Sequence, residues 1–151
     1  MANVFMKKSE DVFETAKQFI KKIKLKNNAD FIVIDVHGET TSEKMAMAYL
    51  FDGKATALIG THTHVPTSDN RIMEKGTAYQ TDIGMCGDYN SVIGMDVENS
   101  INRFYKRESV KHFPSEGEAS LCGAIIEANP KNGLAINISQ FIFGGQLQRD
   151  S

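Results

Sequence analysis

The stretch Phe31-Ile32-Val33-Ile34-Asp35-Val36-His37-Gly38-Glu39-Thr40-Thr41-Ser42-Glu43-Lys44 decides the fold. Its first six residues are an apolar run broken only by Asp35, the pattern of a strand covered on both faces. Thr40 and Glu43 stand at capping-box spacing and open a helix that runs through Leu50. Asp52-Gly53 turns the chain, and Ala55 to Ile59 reads as the next buried strand. Upstream, Val12, Phe13, Ala16, Phe19, Ile20 and Ile23 recur at helical spacing. That helix is expected to take Ser9 as its N-cap, with Glu10 and Asp11 in the first turn, and to end near Lys24 before Asn27-Asn28. Helix, strand, helix, strand in this order predicts βαβ wiring and a largely parallel central sheet.

Beyond Ile59 the chain is rich in loops. Pro66, Asp69-Asn70, Gly76, Gly84, Gly87 and Gly94 leave room only for short strands such as Thr77 to Asp82. Asp96 is placed to cap a short helix from Val97 to Tyr105. Ser120 to Ala128 and Leu134 to Phe143 read as two strands joined by the turn Asn129-Pro130-Lys131-Asn132-Gly133, a hairpin near the C-terminus.

The 151 residues fit a single domain, with hydrophobic and charged shares close to ordinary globular usage. A formal net charge of −2 gives no electrostatic footprint for nucleic acid. The basic run Lys17, Lys21, Lys22, Lys24 and Lys26 falls on the polar side of the first helix, where it reads as a solvated face. No secretory segment and no apolar stretch near about 18 residues is seen, so the expectation is a cytoplasmic protein off the membrane. Cys86 and Cys122 are widely spaced and expected to be free thiols.

Three of the four histidines carry the functional signal. His37 ends the first apolar run, and His62 and His64 follow the second in Gly60-Thr61-His62-Thr63-His64. A histidine at a strand end is held rigidly yet stays open to a cleft, which suits a metal ligand. In extended backbone, residues two apart point to the same side, so His62 and His64 are expected to aim at one site or two adjacent ones. Ordinary loop hydrogen bonding is the competing reading for each histidine taken singly. His112, in Lys111-His112-Phe113-Pro114, reads as an exposed loop residue. Asp82 reads first as a turn cap, with orienting a histidine as its other role, and Thr61 and Thr63 as strand-end hydroxyls bonded to their own backbone, with contact to a phosphate as theirs.

Asp35 to Lys44, Gly60 to Val65, Gly76-Thr77-Ala78-Tyr79-Gln80-Thr81-Asp82-Ile83-Gly84-Met85 and Ser91-Val92-Ile93-Gly94-Met95 together resemble the YmdB-like metallophosphoesterases, bacterial members of the calcineurin-like superfamily. The resemblance runs from about Val4 to the terminal hairpin. It implies an α/β fold, the C-terminal part of an αββα sandwich with a mixed sheet, flanking helices and a C-terminal hairpin. It implies hydrolysis of phosphodiesters, 2′,3′-cyclic nucleotides among them, at two divalent metal ions of the Mn, Fe or Zn class. By the resemblance, His37 and His62 hold one metal and His64 the other. Cys86 stands where the family has a small polar residue and is not read as a nucleophile.

The family's chemistry also draws on an N-terminal half, with an aspartate from a Gly-Asp motif, a bridging carboxylate from a Glu-Asn motif and an Asn-His pair. The expectation is that none of these motifs occurs in these 151 residues. Two cations about 3.5–4 Å apart need a bridging carboxylate, which three neutral histidines do not replace. The expectation is therefore one metal or none, and no activity without a separately encoded N-terminal half. A non-catalytic metal- or phosphate-binding remnant is the alternative. Glu39 is expected to orient a histidine or to serve structure alone, and Asp35 is a second nearby acid. Sheet edges and apolar faces left uncovered would be relieved by that half, by self-association or by partial disorder.

Overall fold

The computed structural model describes residues 11–107 and 111–147. Helix α1 (Val12–Lys22) leads to strand β1 (Val33–His37), helix α2 (Thr41–Phe51) and strand β2 (Ala57–Thr61). Short strands β3 (Arg71–Ile72), β4 (Ala78–Gln80) and β5 (Gly87–Asp88) follow, then helix α3 (Val97–Ile101), which continues as a π-helical turn over Asn102–Lys106. Strands β6 (Ala119–Ala128) and β7 (Ala135–Phe143) form the hairpin. One sheet has the order β1-β2-β4-β3, parallel except for β3, and the other is antiparallel with the order β5-β6-β7. This is the expected mixed α/β arrangement. Among the described residues no helix is long and apolar enough to cross a membrane.

Helix α1 is capped by Asp11, two residues later than the sequence suggests. The Asp11 carboxylate accepts from the amides of Phe13 (2.9 Å) and Glu14 (3.2 Å), satisfying two donors that have no partner inside the helix. Ser9 and Glu10 lie outside the described residues. At the start of α2, Thr40 is the N-cap as expected, but its hydroxyl donates to the Glu43 carboxylate at 2.5 Å and makes no capping bond to the backbone. The helix expected over Val97 to Tyr105 changes pitch at Asn102, though Asp96 does cap it through the Asn99 amide (2.8 Å).

The main core lies between α2 and the first sheet. Met47, Ala48 and Phe51 pack with Val36, Leu58, Met73 and Tyr79, and Val12, Phe13, Ala16 and Ile20 of α1 close it from the side. The hairpin stacks on the opposite face, where Ala135 and Ile138 meet Ala57 and Ala78. Side-chain bonds reinforce the seam: the Thr56 hydroxyl donates to the Gly133 carbonyl (2.7 Å), and the Asn70 amide to that of Ile138 (3.1 Å).

Strand β1 is not covered on both faces. Val36 is buried and Ile34 half-buried, while Val33, Asp35 and His37 alternate outward as exposed residues. The reason is position: β1 ends the sheet, and the hairpin stacks over β2, β4 and β3. Between α1 and β1 an open groove of about 410 Å³ is lined by Phe19, Ile23 and Val33, among others. On the far side of the hairpin Leu121, Ile125 and Phe143 are also exposed.

Gly60, near the end of β2, is required by close approach. A Cβ there would stand 1.7 Å from the carbonyl oxygen of Thr81 and 2.8 Å from the Lys44 side chain. Gly60→Ala is therefore expected to destabilise the fold by about 3 kcal/mol, the upper end of the overpacking range. Urea denaturation would measure it as a lower midpoint at similar slope, and an unchanged midpoint would contradict this packing.

Candidate metal centre

Strands β1 and β2 run parallel with His37 opposite Thr61, so the motif loops leave the sheet side by side. His37 Nε2 faces His62 Nδ1 at 3.0 Å, and the two rings meet edge to face with centroids 4.7 Å apart. The other nitrogen of each ring is engaged as well. His37 Nδ1 lies 3.1 Å from the Thr61 hydroxyl, which donates to the Asp35 carboxylate at 2.8 Å. His62 Nε2 lies 3.1 Å from the Glu39 carboxylate, the orienting contact anticipated for that residue.

The His-x-His segment is not extended. His62 has φ +112° and His64 φ +68°, a region that side chains other than glycine rarely adopt. The extended backbone behind that expectation is therefore absent, and the two rings take different partners. His62 turns to His37, while His64 places Nδ1 2.8 Å from the carbonyl oxygen of Ile93. Each strained residue costs about 1–3 kcal/mol and needs its surroundings to hold it.

Those surroundings are built on a buried ion pair. Lys44, reaching from α2, and Asp82, beyond β4, lie 3.1 Å apart and are fully buried. The same Asp82 carboxylate accepts from the amides of Thr63 (2.9 Å) and Gly84 (2.9 Å). Thr63 sits between the two strained histidines, so Asp82 pins the loop at its midpoint. It caps a turn, as expected, and also positions both histidines. From the other side the Tyr89 hydroxyl accepts from the Met85 amide (2.9 Å) and donates to the His64 carbonyl (2.9 Å). Burial pushes the Tyr89 phenol above its ordinary range, so it remains a donor.

Lys44 and Tyr89 were not singled out from the sequence. Lys44 had a usable signal, because it is a lone cation directly before the apolar run Met45 to Phe51. Nothing local marks Tyr89. The remaining candidates behave quietly. The thiols of Cys86 and Cys122 are free, and Cys86 Sγ lies 3.7 Å from the Cys122 carbonyl. His112 is exposed, 3.4 Å from Arg103. The Thr63 hydroxyl lies 3.5 Å from the Val65 carbonyl. Gly87-Asp88 and Glu98-Asn99 do supply dipeptides of the kinds expected only from the other half. Asp88, however, is turned to the Ser115 hydroxyl and the Asn90 amide, which hold its carboxyl below the usual range, and Glu98 lies exposed in the first turn of α3.

The donor set fits part of a metal site. Imidazole nitrogens are common ligands of divalent cations, and His37 Nε2 and His62 Nδ1 face each other at 3.0 Å. Among the described residues, no group of three or more His, Cys, Asp or Glu forms a complete ligand set.

Residues 1–141 match the YmdB-like protein family. The chain belongs to that family. It is 41% identical over 138 residues to a 2′,3′-cyclic-nucleotide 2′-phosphodiesterase of Bacillus subtilis, a match covering 91% of this chain and 48% of that protein. It is 49% identical over 115 residues to a putative phosphatase/phosphodiesterase of Mycoplasma pneumoniae, covering 74% and 39%. A hypothetical protein from Thermus thermophilus superposes with a TM-score of 0.88 at 37% identity, over 96% of this chain and 55% of that one. A novel phosphatase from Mycoplasma pneumoniae gives 0.83 at 38%, over 91% and 48%. The YmdB-like chain thus spans about half the length of the relatives it matches.

Two predictions concern the support of the histidine loop. Lys44→Met leaves Asp82 buried without its cation and is expected to cost about 3–5 kcal/mol in chemical denaturation; a loss under about 1 kcal/mol would mean that Asp82 does not depend on Lys44. The second concerns Asp69. Burial raises its carboxyl, but hydrogen bonds from Thr67 (2.6 Å) and Thr81 (2.5 Å and 3.1 Å) outweigh this and hold it below the ordinary range. Its stabilisation is therefore complete above the unfolded carboxylate value of about 3.9 and lost as pH falls through the lowered folded value. Asp69→Asn should flatten the acid limb of stability against pH, which denaturation midpoints measured from pH 6 to pH 2 would reveal.

Proposed function

We propose that this chain carries the three-histidine part of a metal-dependent phosphodiesterase centre, with His37 and His62 as ligands of one divalent cation and His64 of a second. The observation that supports it most directly is the pair of ring nitrogens 3.0 Å apart at the ends of two parallel strands. Bound there, divalent cations of the Mn, Fe or Zn class supply Lewis-acid activation of water and a clamp on the phosphate. The chain's own residues hold the ligands: Glu39 orients His62, Ile93 takes the His64 ring, and the Lys44–Asp82 pair fixes the loop between them. The substrate is a small phosphodiester, and the name of the Bacillus relative favours a 2′,3′-cyclic nucleotide.

Three neutral imidazoles do not balance two divalent charges. The complete centre therefore takes carboxylates from sequence beyond these 151 residues, in the same polypeptide or a separate one. The edge of β1 and the groove beside α1 are the surfaces such a half would cover.

The test is hydrolysis of bis-p-nitrophenyl phosphate with Mn²⁺. The chain alone is expected to show negligible turnover. Mixed with the portion of the Bacillus relative that it does not span, it should gain turnover that His62→Ala abolishes. Robust hydrolysis by the chain alone, itself lost on His62→Ala, would overturn the incomplete-site reading. Metal binding without turnover in either form would leave a non-catalytic binding module.

A further inference from the structure

We propose that Asp35 and Thr61 are positioning residues which dictate the tautomer of His37. This deepens the metal-centre reading above and rests on it only for the consequence for affinity.

The argument follows a single proton. The Thr61 hydroxyl has one, and it is donated to the Asp35 carboxylate at 2.8 Å. A carboxylate can only accept, so the direction of that bond is fixed. The Thr61 oxygen is then left with lone pairs alone toward His37 Nδ1, 3.1 Å away. His37 Nδ1 must therefore carry the ring proton, and Nε2 is left bare. The bare Nε2 is the atom that faces His62 Nδ1 at 3.0 Å, where it accepts a hydrogen bond. The relay thus leaves free the His37 nitrogen that the metal-centre reading needs as a ligand.

Geometry explains the use of a threonine as the connector. Asp35 and His37 are two apart on β1 and project to the same side. Thr61 stands opposite His37 on β2, where its hydroxyl reaches both. Its β-branched side chain is stiff about χ1, so the oxygen is presented in a fixed place.

Asp35→Ala is the discriminating variant because it removes the carboxylate that takes the Thr61 proton, whereas an asparagine could still accept it through its amide oxygen. With the carboxylate gone, the Thr61 proton is free to turn to His37 Nδ1 and the ring proton to move to Nε2. Two measurements are made on the full chain: nitrogen-15 NMR of the metal-free protein to read the His37 tautomer, and calorimetry with Zn²⁺. The parent is expected to show Nδ1–H. Asp35→Ala should lose the preference for Nδ1–H and bind Zn²⁺ about 10–100-fold more weakly, the usual range for lost support of a ligand. Thr61→Ser, which keeps the hydroxyl, should restore both readings where Thr61→Val does not. A parent with Nε2–H, or an Asp35→Ala variant that keeps Nδ1–H as fully as the parent, overturns the relay. If the tautomer switches as expected but the parent binds no Zn²⁺, the relay stands and the metal-centre reading falls.

Discussion

The ion pair between Lys44 and Asp82 is the constraint on which the rest of the site depends. Removing two charges from water costs several kcal/mol each, and their attraction seldom returns much more than that. What the pair provides is position. Asp82 spends its remaining acceptor capacity on the amides of Thr63 and Gly84, so one carboxylate joins α2, the end of the first sheet and the histidine loop. Gly60 follows from the same arrangement, since the Lys44 stem and the Thr81 carbonyl occupy the space where its side chain would be. The positive φ values of His62 and His64 are then intelligible as strain confined to the residues flanking the pinned amide.

The order of elements was legible because it rests on local signals. Apolar periodicity, the turn at Asp52-Gly53 and the glycine of the hairpin turn each act over a few residues, and the helices and strands they mark are present. What the sequence misjudged were properties set by neighbours far along the chain. The run from Phe31 to Val36 has the composition of a buried strand, yet the sheet order leaves β1 at an edge, and composition does not encode that order. Ser9 and Asp11 are both good caps, and the choice between them turns on where packing of the apolar stripe begins.

The candidate site was legible in part for the same reason. Residue type and spacing singled out His37, His62 and His64, and the first two do meet in the structure. The turned backbone that gives His62 and His64 different partners was not legible, because it is held by Asp82 and Tyr89, residues 18 and 25 positions beyond His64 that no local rule connects to it. Lys44 illustrates the limit most clearly. A lysine beside an apolar run reads as a solvated cation until the carboxylate 38 residues away is known to lie against it.

The contrast between buried and exposed polar groups indicates where this fold is rigid and where it is open. Beneath the histidines, Lys44, Gln80, Thr81 and Asp82 are buried, and hydrogen bonds link Asp69, Thr67 and Thr81 beside them, which leaves the loop little room to relax. Around the rings, Asp35, His37 and Glu39 are exposed, so the face that carries the candidate ligands is the least enclosed. A rigid floor with an open roof suits ligands that must be aimed before a cation arrives, because the entropy of ordering them is lost during folding and not during binding. It also explains why the aim is set by short polar relays through Thr61 and Glu39: with few walls around the rings, hydrogen bonds are the means left to hold their orientation.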